Sequence, residues 1–272
     1  MPTPPDKSLP PFERLVELMK TLRGPGGCPW DAKQTHQSLT PYLIEECYEL
    51  IDTIERADDE HMREELGDLL VQFVFHGVLA EERGAFAMAD AITEVTEKLI
   101  KRHPHVFGDR GPVETAGDVR DIWERQKLTE REGKPKRLLD SVPASMPALT
   151  RAYRFGEKAG GVGYDWPDTT PILEKIQEEL AELKAELSAG DREKQTEEVG
   201  DLLFVIASLA RKLGIDPENA LRGSLSKFHR RFNYIEERVI DSGKSWDQFT
   251  LAELDAWWDA AKDRERTSTD TT

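Results

Sequence analysis

Two acidic motifs with the same internal spacing are the residues of this sequence best suited to chemistry. The first runs as EECYE over Glu45–Glu49 and continues, after fifteen residues, as ELGD over Glu65–Asp68. The second runs as EELAE over Glu178–Glu182 and continues, after fifteen residues, as EVGD over Glu198–Asp201. A single EExxE is usually a solvated helix face, but repetition of both parts at one interval favours a functional site.

Helical geometry brings the carboxylates of each motif together. At about 100° per residue, Glu46 and Glu49 are neighbours at the border of an apolar face, and Glu65 and Asp68 share a face of the next helix. Because the connection between the two helices is short, we expect them to pack antiparallel with four carboxylates converging. The equivalent set in the second repeat is Glu179, Glu182, Glu198 and Asp201.

Four carboxylates at the edge of a core repel one another unless a cation compensates them. Oxygen donors without His or Cys favour Mg²⁺, with Mn²⁺ as a substitute, and Mg²⁺ in proteins commonly binds substrate phosphates as well. A glycine also lies inside both ExGD segments, at Gly67 and Gly200. Glycine costs about 1 kcal/mol in a helix interior, so we expect a neighbouring helix or a ligand to lie close to each.

Basic and aromatic residues recur downstream of each acidic motif at helical i,i+4 spacing. The pairs are Lys98 with Arg102 and Trp123 with Lys127 in the first repeat, and Lys227 with Arg231 and Trp258 with Lys262 in the second. Such cations can hold phosphates and such a tryptophan can stack on a base. One isolated pair is as often solvated or part of a core, and recurrence favours substrate binding. His76, His103 and His105 have no metal-ligand spacing and are interpreted as structural.

The repeats are offset by 133 residues and predict two tandem helical domains. The expected order is a disordered leader, an N-terminal domain, a proline-containing linker, a C-terminal domain and a disordered tail, at residues 1–11, 12–130, 131–147, 148–264 and 265–272. Because alternation with period two is nowhere sustained, the predicted fold class is all-α, a pair of helical bundles.

Each domain is expected to hold about five helices. Those of the first are Phe12–Leu22, Pro41–Arg56, Asp59–Glu82, Phe86–Arg102 and Val119–Thr129. Those of the second are Pro147–Glu157, Pro171–Leu187, Asp191–Leu213, Pro217–Val239 and Leu251–Lys262. Thr40 and Thr170 each precede a proline and are expected to be helix N-caps.

Composition excludes several classes of protein. With 53 acidic residues against 37 Lys and Arg, the formal charge is −16, which disfavours binding to a nucleic acid polymer. The longest uncharged stretches, Leu69–Ala80 and Leu202–Ala210, are shorter than the roughly 18 to 20 apolar residues of a membrane span. The proline-rich start does not look like a secretory signal, and two isolated cysteines, Cys28 and Cys47, favour a reducing cytoplasm.

Taken with CPWDAKQTH at Cys28–His36 and KRHPHVFGD at Lys101–Asp109, the motifs resemble those of MazG-type nucleoside triphosphate pyrophosphohydrolases in their tandem form. The resemblance extends from Phe12 to Lys262. It implies magnesium-dependent hydrolysis of the α,β-phosphoanhydride of nucleoside triphosphates, with broad base specificity and a house-cleaning role in the nucleotide pool. It also implies a homodimer, for which Leu202–Ala210, apolar on every side of its helix, is independent support.

The resemblance carries roles onto particular residues. The metal would be held by Glu179, Glu182, Glu198 and Asp201, and the nucleotide contacted by Lys194, Lys227, Arg231, Trp258 and Lys262. Beside Glu198, either Glu178 or Glu197 would orient or deprotonate the attacking water. Where the second repeat has Lys194 the first has His61, so the second is expected to be the more active, while a working first site stays open.

Two alternatives remain at this point. A narrower pyrophosphatase that prefers a pyrimidine deoxynucleotide such as dUTP or dCTP would carry identical carboxylates. A non-catalytic helical regulator ranks lower because both carboxylate sets are intact. A ferritin-like di-iron protein is disfavoured because neither repeat supplies the ExxH ligands of such bundles.

Overall fold

The computed structural model describes residues 1–108 and 137–269. Helices make up the regular structure of these ranges and no strand occurs within them, which confirms the all-α prediction. The chain divides into two compact units, Met1–Trp123 and Glu124–Thr272. No described helix is long and apolar enough to cross a bilayer.

The first unit positions its acidic motif on two helices that pack together, α3 and α4. Its described helices are α1 Pro11–Arg23, α2 Pro29–Lys33, α3 His36–Arg56, α4 Asp59–Glu82, α5 Met88–Arg102 and α6 Pro104–Phe107. Ala57 ends α3 with a positive φ of 52°, and Asp58 then caps α4 by accepting a hydrogen bond from the His61 amide at 3.2 Å. This tight connection fixes the register between the two halves of the motif.

The hydrophobic core of the first unit lies away from its carboxylates. Its buried members come from α1, from the beginning of α3 and from the second half of α4: Met19, Leu39, Val74, Phe75, Val78 and Leu79. Glu65 and Asp68 stand in the first half of α4, beyond that core. The apolar stripe predicted on α3 is only partly buried, since Ile44 and Ile54 are exposed.

The second unit repeats the helical pair as α8 and α9. Its described helices are α7 Ala148–Gly160, α8 Thr170–Ala189, α9 Arg192–Lys212, α10 Pro217–Ser242 and α11 Leu251–Thr269, with 3₁₀ turns at Leu138–Ser141 and Trp246–Gln248. Gly190 ends α8 with φ 77°, and Asp191 caps α9 by accepting from the amides of Glu193 and Lys194 at 3.1 and 3.2 Å. The connection therefore reproduces the Asp cap of the first unit.

Both predicted threonine N-caps, Thr40 and Thr170, were wrong. Helix α3 begins at His36, because Thr35 and Ser38 form a reciprocal capping box with bonds of 2.9 and 3.1 Å, and Pro41 lies inside the helix. The N-cap of α8 is Thr169 rather than Thr170. A threonine before a proline is thus a weaker start signal than a complete capping box.

Two predicted segment boundaries also differ from the structure. Part of the expected linker packs on the second unit, where the turn Leu138–Ser141 contacts α7 and Val142 is buried. Helix α11 continues to Thr269, so residues 265–269 are helical rather than a tail, and Glu265 is held by ion pairs to α10. The predicted helix Val119–Thr129 lies outside the described residues.

Candidate metal and nucleotide site

The carboxylates of the second unit come together between α8 and α9. One oxygen from each of Glu179, Glu182 and Glu198 lies within 4.8 Å of the others. Glu179 is only 5% exposed, whereas Glu182 is exposed. Asp201 follows Glu198 by one turn of α9, and its charge acts on that carboxylate. Three of the four predicted ligands are therefore close neighbours, and the fourth, Asp201, lies one helical turn beyond Glu198.

Burial and mutual repulsion dominate the electrostatics of this acidic group. Burial, then the charges of Glu182 and Glu179, raise the pKa of Glu198. A raised carboxyl pKa means that the folded, metal-free protein holds the proton more tightly than the unfolded chain does. A cation at this position would reverse the preference, because it favours the ionised form.

The first unit repeats the arrangement between α3 and α4. Oxygens of Glu46, Glu49 and Glu65 lie within 4.8 Å of one another. Burial is the largest cause of the raised pKa of Glu46, followed by the charge of Asp68, and burial with the charge of Glu49 raises the pKa of Glu65. In each unit, three of the four predicted carboxylates therefore lie close together, whereas Asp68 and Asp201 are not part of these groups of three.

A residue that the sequence analysis did not select distinguishes the two groups. Lys175 on α8 donates hydrogen bonds to Glu178 and Glu179, with both Nζ–Oε1 distances at 2.8 Å. The equivalent position of the first unit is Tyr42, whose ring packs edge-on against Trp30 with centroids 5.9 Å apart. The i,i+4 spacing of Lys175 and Glu179 could have revealed this ion pair from the sequence.

The predicted water-orienting residues differ in their surroundings. Glu178 is tied to Lys175, whereas Glu197 is exposed next to Glu198. Lys194 lies at the Asp191 cap, with its ammonium 3.7 Å from Glu186 and more than half exposed. Its counterpart His61 instead contacts its own cap, with Nδ1 at 2.7 Å from Asp58.

The predicted basic residues of the second unit form a separate group on α10 and α11. Arg231 donates to Glu265 at 2.9 Å and lies over the Trp258 ring, 5.5 Å from its centroid. Lys262 pairs with Asp259 at 2.9 Å, and Lys227 is exposed on α10. A cavity of about 420 Å³ beside this group is lined by Arg230, Arg231, Asn233, Tyr234, Glu237, Ala261, Arg264 and Glu265. The described ion pairs of Arg231 and Lys262 are with α11 rather than with the acidic group.

Comparison with known proteins agrees with this architecture. Residues 34–107 match the MazG nucleotide pyrophosphohydrolase domain, and residues 164–231 match the phosphoribosyl-ATP pyrophosphohydrolase family. The chain is 47% identical over 256 residues to the nucleoside triphosphate pyrophosphohydrolase/pyrophosphatase MazG of Thermotoga maritima, covering 94% of this chain and 97% of that one. This chain belongs to the MazG family.

Further MazG relatives show the same extent of similarity. The nucleoside triphosphate pyrophosphohydrolase of Escherichia coli K12 is 40% identical over 258 residues, covering 93% of this chain and 98% of that protein. The uncharacterized protein YabN of Bacillus subtilis is 44% identical over 258 residues, which are 94% of this chain and 53% of YabN. Similarity therefore extends over both helical units.

The remaining predicted residues of this MazG protein lie in the first unit. Lys98 and Arg102 are half-buried on α5, whereas Trp123 and Lys127 lie outside the described residues. The recurrence of the basic group in the first unit is therefore seen only for its first pair.

No neighbouring helix among the described residues comes close to either glycine. Outside the glycine's own helix, a Cβ placed on Gly67 or Gly200 would meet no described atom within 4 Å. Packing among the described residues therefore does not account for the helix-propensity cost of these glycines. Of the two explanations that the sequence suggested, a ligand remains.

The sequence analysis did not predict the contact between His36 and His76. Their Nδ1 atoms lie 2.8 Å apart and their rings stack with centroids 5.0 Å apart. Both Nε2 atoms are buried and have no hydrogen-bond partner among the described residues. Burial, then the charge of His36, lower the pKa of His76. The second unit has Leu209 at the position of His76.

The acidic groups fit a hard divalent cation. Each offers carboxylate oxygens alone, from two helices that hold them within 4.8 Å. Burial, and after it the charges of neighbouring carboxylates, raise the pKa values of Glu46, Glu65 and Glu198. Oxygen-only donors of this charge suit Mg²⁺ or Mn²⁺ better than zinc.

Proposed function

We propose that this protein hydrolyses the α,β-phosphoanhydride of nucleoside triphosphates and releases a nucleoside monophosphate and pyrophosphate. The observation that carries the proposal is the pair of convergent carboxylate groups, each inside a segment that matches a pyrophosphohydrolase family. The nucleoside triphosphate pyrophosphohydrolase activity for which the Thermotoga maritima and Escherichia coli relatives are named supports it. The substrates are broad in base and sugar, and the role is clearance of unwanted nucleotides.

The metal ligands in this proposal are Glu179, Glu182, Glu198 and Asp201, with Glu46, Glu49, Glu65 and Asp68 as their first-unit equivalents. Mg²⁺ supplies charge neutralisation at the phosphates and an acidified water when it is bound, and Mn²⁺ substitutes for it. Glu197 orients that water, because its exposed carboxylate stands next to Glu198 while Glu178 would first have to leave Lys175.

Nucleotide contacts come from Lys194, Lys227, Arg231, Trp258 and Lys262. The stacked pair of Arg231 and Trp258 offers a guanidinium for a phosphate beside an aromatic ring for a base. The first-unit set would be Lys98, Arg102, Trp123 and Lys127. We assign the main activity to the second unit, since Lys194 supplies a positive charge where His61 stands in the first.

The working form in this proposal is a homodimer. Helix α9 exposes Leu203, Phe204 and Ile206 by 49%, 41% and 43%, which is a large apolar surface beside the carboxylates. A second copy packed there would bury it. Sedimentation equilibrium tests this directly: a mass near 62 kDa supports the dimer, since one chain is 30.9 kDa, and a mass of one chain at all concentrations contradicts it.

The state of the two cysteines is relevant to where in the cell the protein is located. Cys28 and Cys47 are both free, and free cysteines without a disulfide partner support a reducing, cytoplasmic location.

Product analysis tests the proposed reaction. The protein is incubated with a panel of ribo- and deoxyribonucleoside triphosphates, with Mg²⁺ or with EDTA, and pyrophosphate, orthophosphate and monophosphate are measured. Magnesium-dependent pyrophosphate with monophosphate supports the proposal, and the ranking of bases separates broad specificity from a preference for dUTP or dCTP. Absence of both products with every nucleotide would favour a non-catalytic regulator instead.

A further inference from the structure

The ammonium of Lys175 is built into the edge of the second-unit acidic group. It lies at 2.8 Å from carboxylate oxygens of both Glu178 and Glu179, and its own side chain is about one third exposed. Glu179 has a side chain only 6% exposed and is one of the three carboxylates that converge within 4.8 Å. Lys175 therefore touches the acidic group through its most buried member.

The contact is more than a surface ion pair. Exposed lysine–glutamate pairs contribute little, and the order with lysine four residues before glutamate is the weaker one on a helix. Glu179, in contrast, is buried, and solvent screens a buried ion pair much less than an exposed one. Glu179 receives its positive partner from Lys175, on the next turn of the same helix.

The first unit has an equivalent acidic group with no lysine at the position of Lys175. Tyr42 stands four residues before Glu46, as Lys175 stands four before Glu179, and its ring packs on Trp30. The first unit thus has the same carboxylates with a neutral residue at this position. The two groups differ by one positive charge next to the most buried ligand.

We infer that Lys175 is a positioning residue that holds the Glu179 carboxylate in place and that its positive charge, at 2.8 Å from this carboxylate, lowers the affinity of the second site for free divalent cations. The same charge attracts the triphosphate, so the second site fills with cation and nucleotide together rather than with cation alone. This inference rests on the proposed function, because it takes the acidic group as the metal site of a nucleotide hydrolase. It predicts effects of opposite sign on the two ligands.

The test measures Mn²⁺ binding by electron paramagnetic resonance at pH 8, in the full chain with the first site disabled by Glu65→Gln and Asp68→Asn. In that background, Lys175→Met should tighten Mn²⁺ binding without nucleotide by about tenfold or more, the scale of removing one charge near a dication. Binding of a non-hydrolysable triphosphate with Mn²⁺ should weaken. Lys175→Arg keeps the charge and should restore both affinities, and Lys184→Met, exposed on the same helix, should change neither.

Opposite shifts in cation and nucleotide affinity are the signature that a merely structural lysine would not give. Unchanged or weaker Mn²⁺ binding by folded Lys175→Met overturns the inference, including the case in which neither it nor its parent binds Mn²⁺. If Lys175→Met fails to fold, the reciprocal Tyr42→Lys, with the second site disabled by Glu198→Gln and Asp201→Asn, decides: it should weaken Mn²⁺ binding to the first site, and no change overturns the inference.

Failure of the proposed function looks different. Nucleotide hydrolysis, and its loss in Glu198→Gln, are measured in the full chain with the first site disabled, on the preparations used for the binding experiment. Hydrolysis that persists in Glu198→Gln in that background contradicts the assignment of the metal site whatever Lys175 does. Hydrolysis that depends on Glu198, together with unchanged Mn²⁺ affinity in Lys175→Met, contradicts the role of Lys175 alone.

Discussion

The two carboxylate groups share one frame and differ in the charges around it. Both place three glutamates within 4.8 Å on a pair of helices joined by an Asp-capped connection. The second has Lys175 on its buried glutamate and Lys194 at the cap, where the first has Tyr42 and His61. The two units therefore share the oxygen donors and differ in the positive charges near them. The difference predicts that the groups are unequal in ligand binding and in catalysis.

The largest expected effect is on turnover. Asp201→Ala should reduce pyrophosphate release by more than the 10- to 100-fold typical of residues that only orient a metal ligand, because it removes a proposed ligand. Asp68→Ala, the matched change in the first unit, should leave most of the activity. Initial rates with saturating Mg²⁺ measure both. An inactive Asp68→Ala protein beside an active Asp201→Ala protein would reverse the assignment of the main site.

Binding of Mg²⁺ should raise the free energy of unfolding. Mg²⁺ at 100 times its dissociation constant should stabilise the metal-free protein by about 2.7 kcal/mol at pH 8, and the gain should shrink towards pH 5 because protonated carboxylates bind the ion poorly. Thermal unfolding with EDTA and with added Mg²⁺ checks this. Repeating it in Glu65→Gln and Glu198→Gln shows which unit provides each part of the gain; a gain that survives both changes would place the ion elsewhere.

The histidine pair should make the first unit sensitive to acid. The pKa of His76 is lowered in the fold, so its contribution to stability is present at neutral pH and is lost as the pH falls below about 6.5, its ordinary value. His76→Leu, which copies Leu209 of the second unit, should reduce the loss of thermal stability between pH 7 and pH 5. His229→Leu, at an exposed position of α10, is the control and should leave the pH dependence unchanged.

Glu198→Gln should separate stability from activity. Because the pKa of Glu198 is raised, its ionised form opposes folding at neutral and higher pH, and this penalty disappears as the pH falls through that raised pKa. The neutral variant should unfold at a higher temperature than the parent in EDTA at pH 8, although it is inactive. Glu174→Gln, exposed on the same pair of helices, should not. A lower unfolding temperature for Glu198→Gln in EDTA would contradict the repulsion.

The smallest effect is expected at the glycine of each motif. Gly200→Ala should stabilise the nucleotide-free protein by up to about 1 kcal/mol, the helix-propensity difference, since no described atom outside its own helix lies within 4 Å of the added methyl group. Denaturant unfolding of Gly200→Ala and Gly67→Ala measures this. If Gly200→Ala is stabilised and binds nucleotide more weakly, while Gly67→Ala is only stabilised, the nucleotide binds beside Gly200 and not beside Gly67. Destabilisation of either variant would mean that a second chain packs against that glycine.

Much of the fold follows from local signals in the sequence. Helix α4 begins and ends where its pattern predicted, because Asp58 is a strong cap and the apolar run after Leu69 is continuous. The start of α3 was mispredicted because Thr35 and Ser38 compete with the threonine before Pro41, and the capping box prevails. Which of two possible N-caps begins a helix depends on the hydrogen bonds that each can form, and the presence of a threonine alone does not predict these.

The sequence predicted which carboxylates form the site better than it predicted which side chains contact them. Carboxylate spacing on two capped helices is a matter of helical geometry, and the sets of Glu46 and Glu179 converge as that geometry requires. The contact of Lys175 with Glu179 depends on side-chain rotamers and burial, which spacing alone does not specify. The pairing of Arg231 with Glu265 required a helix longer than the sequence predicted.

The number of residues between the Asp cap of α4 or α9 and the glutamate that follows it is critical for the acidic group. Glu65 stands seven residues after Asp58, and Glu198 stands seven residues after Asp191. One inserted residue between cap and glutamate would turn the carboxylate by about 100° around the helix axis, away from its partners on the preceding helix. A single inserted alanine there would therefore abolish the acidic group with every ligand still present in the chain.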